Sequence, residues 1–297
     1  MSSVLPASPL RSPAGDTASR SWLLAALGFA VMYVPVYWWA ANGIWQTEEQ
    51  GHGALIFAVM LWLFWGLRDP IAKVAARPSP GLGWPIFGLG LLVYVAGRIL
   101  DISILQFASQ PFVVAGILLL LKGPAATRVA WFALFYFIFM IPLPDIIVDA
   151  VTGPLKRWIS WIVVELLYGV GYPISRNGVI LTIGQYQMLV ADACSGLHSM
   201  YSLSALGTLF MYIMARKSRL HNAIMVASIL PIAFIANIVR VIALVLITFH
   251  FGDEAGQGFL HGTAGMVLML VALMGFFALD AFLARALHAR RSAPPAG

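Results

Sequence analysis

Charge is scarce in this sequence and cysteine scarcer: 10% of the 297 residues are Asp, Glu, Lys or Arg, and Cys194 is the single thiol. One thiol excludes an intrachain disulfide framework. There is no Cys/His cluster with zinc spacing, no Gly-rich phosphate loop and no Gly-x-Ser-x-Gly elbow, so neither a metal nor a cofactor is expected. No cleavable signal is evident at the N-terminus. What is abundant is apolar: 61% of residues are hydrophobic and the mean hydropathy is +0.87. The chain therefore reads as a polytopic membrane protein. The net charge of +6 is no nucleic-acid signal, because the basic residues fall in loops and tails, where the rule that keeps Lys and Arg on the cytoplasmic side places them.

That rule orients the chain. Residues 1–20 are Ser-, Pro- and Ala-rich with Arg11 and Arg20 and read as a flexible cytoplasmic tail, 21–286 as one membrane-embedded domain, and 287–297 as a basic cytoplasmic tail. Eight spans are expected: Trp22 to Ala41, Ala54 to Leu67, Leu82 to Leu100, a fourth reaching Leu121, Val129 to Met140, Leu197 to Ala215, Arg219 to Phe249, and Gly262 to Ala284. About 20 apolar residues at ~1.5 Å each cross a ~30 Å hydrocarbon core. Glu48, Glu49 and His52 lie in an outer loop, Asp101 in a tight outer turn, and residues 250–261 in a second outer loop. Pro142 and Pro144 stop the fifth span, and Pro231 is expected to kink the seventh.

Residues 145–193 decide the parity. Were Thr152 to Gly171 a crossing, Cys194 would be cytoplasmic and Arg216, Lys217 and Arg219 external, against the charge rule. That stretch is read instead as an amphipathic helix at the outer interface. Gly178 and Gly184 then punctuate β-branched and aromatic residues from Asn177 to Ala191, which fits a short β-hairpin delivering Asp192 and Cys194 to the outer mouth of the sixth span. The fold class is all-α and polytopic, with an outer interfacial helix and this hairpin.

Three chemically competent residues then reach the outer ends of three different spans: Cys194, Arg240 and His261. A free thiol titrates near ~8.5 and attacks as the thiolate, so a nearby cation or base is needed around neutrality. His261 fits a proton acceptor that later serves the leaving amine, and Arg240 fits a donor to a thiolate or an oxyanion. Asn237 shares Arg240's helix face, and Asp192 and Ser195 flank the thiol. Alternatives stand beside this. A lone cysteine is commonly a small buried hydrophobe, an arginine near a helix end can snorkel to interfacial water, and His198, one turn from Cys194, is a rival base.

Ala-Cys-Ser-Gly-Leu-x-Ser at 193–199, Asn-x-x-Arg-Val at 237–241 and His-Gly-x-x-Gly at 261–265 resemble the three signature blocks of the exosortases and archaeosortases, with 192–207 most similar to the exosortase B branch. The resemblance extends to Gly51-His52-Gly53, Ile141-Pro142-Leu143-Pro144 and Pro154-Leu155-Lys156, so it covers all but the tails. Asp192 stands where many relatives carry Glu. The resemblance implies a membrane cysteine transpeptidase of the bacterial inner membrane, its site facing the periplasm. It also implies secreted substrates bearing a C-terminal Pro-Glu-Pro (PEP-CTERM) sorting signal, a transmembrane helix and a basic cluster. Its catalytic Cys, Arg and His fall on Cys194, Arg240 and His261; the motif alone prefers His261 to His198. Membrane lipid is an expected partner and nucleic acid is not. The competing class is a transporter or a component of exopolysaccharide export, in which Arg240 and Asp101 bind a charged substrate and Cys194 only packs.

Overall fold

A backbone in hydrocarbon must satisfy its own N–H and C=O groups, so long apolar runs become helices. The computed structural model describes residues 13–47, 51–142, 145–189, 196–214, 218–262 and 264–292. Its helices are α1 (Pro13–Asn42), α2 (His52–Lys73), α3 (Pro80–Ile99), α4 (Ser103–Leu121), α5 (Pro124–Val129), α6 (Trp131–Tyr136), α7 (Asp145–Gly169), α8 (Gly196–Met214), α9 (Arg219–Phe251), α10 (Asp253–Gly262) and α11 (Ala264–Ser292). Among the described residues, 6 helices are long and apolar enough to cross a membrane: α1, α2, α3, α4, α9 and α11. The fifth and sixth expected spans correspond to shorter apolar helices, Trp131–Met140 and Tyr201–Met214. The protein is a multi-pass, mostly helical membrane protein with, among the described residues, one small sheet.

Contacts divide the chain into two compact units, Met1–Ile44 with Ala58–Ile141, and Trp45–Phe57 with Pro142–Gly297. In the first, α3 and α4 form a tight hairpin whose turn places Asp101 at φ 53, as expected of that residue. Gly83, Gly90 and Gly97 recur every seven residues and are all buried. A Cβ at Gly90 would stand 2.8 Å from the Val113 backbone nitrogen, and one at Gly97 2.9 Å from that of Gln106. Small residues thus let two backbones meet. α2 runs past its expected end at Leu67 to Lys73, because Lys122 Nζ donates to the carbonyls of Ala72 and Val74, both at 3.1 Å. α1 begins at Pro13, inside the stretch read as a tail; proline suits a first helical position.

In the second unit the interfacial-helix stretch is α7, starting at Asp145 rather than Thr152. It closes through Gly171 at φ 95, with Tyr172 N–H donating to the Leu167 carbonyl. The expected hairpin is a three-stranded antiparallel sheet in the order β1-β2-β3, β1 (Ile174–Asn177), β2 (Ile180–Ile183) and β3 (Tyr186–Leu189). Ile174 pairs with Ile183 and Ile180 with Leu189. Gly178 and Gly184, at φ 65 and 56, open the two-residue turns, which need positive φ. β1 is the additional strand.

Two apolar clusters hold this unit together, and both use α9. Ile159, Val163 and Leu167 of α7 join Ile174, Leu181 and Ile183 of the sheet against Val241 and Val245. Leu203 and Phe210 of α8 join Leu268, Ala272 and Phe276 of α11 against Met225, Ile229, Ala233 and Ala236. A buried pair, His221 Nε2 with Asp280 Oδ1 at 2.8 Å, ties α9 to α11. α9 stays helical through Pro231.

Candidate functional site

The first cluster begins at Val241 and the second ends at Ala236; Asn237 and Arg240 occupy the seam between them. Helical spacing puts the two on one face, and that face is inward: Asn237 is 0% and Arg240 7% exposed. An arginine at this burial is held inside protein, which distinguishes it from a side chain snorkelling to water. Neither the amide oxygen nor the amide nitrogen of Asn237 has a hydrogen-bond partner among the described residues. Such a group costs ~1–3 kcal/mol, an expense that apolar helices avoid unless the group serves another end.

The elements flanking Cys194 in the chain pack on α9 from either side of that seam. β3 ends at Leu189 and α8 starts at Gly196; the sheet rests on Val241 and Val245, whereas α8 rests in the cluster that ends at Ala236. Asp192, Cys194 and Ser195 lie outside the described residues. His198 belongs to the first turn of α8 and His52 opens α2.

His261 belongs to α10, where a loop was expected. Gly252 ends α9 at φ 91, its N–H donating to the Thr248 carbonyl, and Asp253 and Glu254 begin the next helix, acidic residues that favour a helix N-terminus. α10 doubles back on the last turn of α9. A Cβ at Gly256 would collide with Thr248 Oγ1, and the Gly256 N–H donates to the Gly252 carbonyl at 3.1 Å. His261 is thus on the returning helix, while Arg240 precedes the same turn on the outgoing one. The missed signal was Gly252-Asp253-Glu254, a helix stop followed by a helix start.

The far end of α9 is braced by the turn between α7 and β1. Tyr172 stacks edge-on against Phe249 at 5.5 Å between ring centroids, and its hydroxyl lies 3.2 Å from His250 Nε2. Asp101, assigned with Arg240 to a substrate site in the transporter reading, is an exposed turn residue of the first unit.

No curated protein and no solved structure matches the chain. The family model of the transmembrane exosortases matches residues 38–278, a range that holds all eight candidate site residues. By that match the chain belongs to the transmembrane exosortase family.

Proposed function

We propose that this protein is a membrane cysteine transpeptidase of the exosortase B branch, acting at the outer face of a bacterial inner membrane on secreted proteins with a C-terminal PEP-CTERM-type signal. The observation that carries the reading is the seam on α9. Asn237 and Arg240 are buried there, the elements on both sides of Cys194 pack to its two sides, and the helix bearing His261 begins by packing Gly256 on Thr248 at the last turn of α9.

In this reading His261 takes the Cys194 thiol proton, the thiolate adds to the scissile carbonyl, and Arg240 donates to the oxyanion that forms. Collapse breaks the C–N bond. His261 supplies the proton to the departing amine, the substrate's acyl part stays on sulfur as a thioester, and an acceptor nucleophile then displaces it. Asn237, its amide without a partner among the described residues, binds the substrate backbone at the seam. Asp192 and Ser195 support the thiol, and His52 and His198 line the mouth.

Co-expression with a tagged substrate tests this. Wild-type protein should yield a covalent adduct whose thioester is cleaved by hydroxylamine and whose mass maps to Cys194. Cys194→Ser should accumulate in the membrane yet leave the substrate unprocessed. Processing by Cys194→Ser near the wild-type rate would return Cys194 to a packing role.

A further inference from the structure

The first unit holds a cavity of about 620 Å³ that the proposed chemistry does not use. Its walls come from the N-terminal part of α1 and the C-terminal parts of α2 and α4, with Phe29, Phe64, Ile71 and Ile117 among them and Arg68 and Lys122 the charged residues lining it. Most of its walls are half-buried, with Ala26, Arg68 and Ala72 exposed, so the cavity is an open groove. It exists because α1 is tied to α4 farther along, where Tyr33 meets Ser109 at 2.6 Å and Tyr37 donates to Gln110 Oε1 at 2.7 Å; before those bonds α1 leaves α4 uncovered. Lys122 is at the C-cap of α4 and Val114 eight residues earlier, so the apolar wall runs about 12 Å back from the ammonium.

Both cations are held in place with donors to spare. Lys122 gives two bonds to the carbonyls of Ala72 and Val74 and has a third N–H. The Arg68 guanidinium lies 4.1 Å over the Trp65 ring. Asp69 approaches Arg68 only through Nε, at 3.7 Å, with both side chains more than half exposed, a pairing that water screens. The lining thus carries two positive charges at one end of an apolar trough. A peptide helix with a basic flank would be repelled there.

We infer that this groove binds one anionic phospholipid from the leaflet on the side of Lys122, its phosphate on Arg68 and Lys122 and an acyl chain along Phe29, Phe64 and Ile117. A net-negative head is favoured over a zwitterionic one because none of the described lining residues is acidic and Asp69 already faces Arg68. The lipid fills the space that α1 leaves and stabilises the first unit.

Native mass spectrometry of the full-length protein in neutral detergent tests this, with phosphatidylglycerol and phosphatidylcholine of identical chains and with glycerol phosphate as the head alone. Phosphatidylglycerol should give a one-to-one adduct retained about tenfold better than phosphatidylcholine, and glycerol phosphate none. Arg68→Gln should lower phosphatidylglycerol to the phosphatidylcholine level. Ile117→Trp should lower both lipids, with Val114→Phe as the second trough-filling variant should the first fail to accumulate. Equal retention of the two lipids overturns the inference. So does binding of glycerol phosphate alone, or an adduct that survives either the cation change or the filled trough.

Discussion

α4 and α9 both bury polar residues inside apolar helices, and they do so to different ends. On α4, Gln106, Ser109 and Gln110 are at most 5% exposed, and each bonds across to another part of the first unit through at least one atom: Gln106 Nε2 donates to the Gly97 carbonyl at 3.2 Å, Ser109 meets Tyr33, and Gln110 accepts from Tyr37 through Oε1 while its Nε2 has no partner among the described residues. On α9, Asn237 is as deeply buried and makes none of these bonds among the described residues. In hydrocarbon a polar group left out of the fold's own bonding is costly, so α4 shows what structural amides look like in this chain and α9 shows a departure from it. The contrast is between amides that bond across helices and one that makes no bond among the described residues; under the proposed function the second kind is kept for a substrate.

The largest expected effect lies at the seam. Arg240→Lys keeps the charge and loses the planar fork of donors. If Arg240 stabilises an oxyanion, processing should fall by roughly 10²-fold or more, while the protein accumulates at its normal level; immunoblots of protein and processed substrate measure both. Undiminished processing would place Arg240 with the structural residues of α4 and erase the distinction.

A second, smaller effect tests the same contrast from the stability side. Asn237→Leu removes two buried atoms that lack partners, so the melting temperature in detergent should hold or rise, by up to the ~1–3 kcal/mol such atoms cost, while turnover drops about tenfold. Gln110→Leu should do the reverse, lowering the melting temperature because the Tyr37 hydroxyl loses its acceptor, a loss only partly offset by removal of the partnerless Nε2, with turnover kept. A melting temperature that falls in both would show that Asn237 is structural too.

The sequence made one half of this contrast easier to read than the other. Apolar runs and basic loops marked the long helices, and Asn237 with Arg240 stood out by type and spacing. Their burial did not, because an arginine 21 residues from Arg219 fits an interfacial side chain equally well until the clusters ending at Ala236 and starting at Val241 enclose it. Local signals failed where the deciding partner is remote. α2 outlasted its hydropathy because Lys122, 50 residues away from Ala72, satisfies its terminal carbonyls. β1 went unread because Ser175 and Arg176 face solvent and give no apolar alternation. α10 was taken for a loop because its charges hid a Gly-Asp-Glu start. The glycines at 83, 90 and 97 were visible as a repeat, but only their neighbours on α4 give the repeat a meaning.

Those glycines carry the smallest prediction, and it turns on a sign. By propensity alone, Gly→Ala within a helix gains up to ~1 kcal/mol, and α3 offers an internal control. A Cβ at Gly88 meets nothing within 4 Å, whereas one at Gly90 meets both the side chain and the backbone nitrogen of Val113 at 2.8 Å. A backbone atom cannot rotate away, so α3 and α4 would have to separate, a cost of about 1–3 kcal/mol for an overpacked contact. Gly88→Ala should therefore raise the melting temperature slightly and Gly90→Ala lower it, with substrate processing per folded molecule the same in both. Parallel shifts in the two variants would mean that the hairpin tolerates a wider spacing, and that its glycines reflect composition and not close approach.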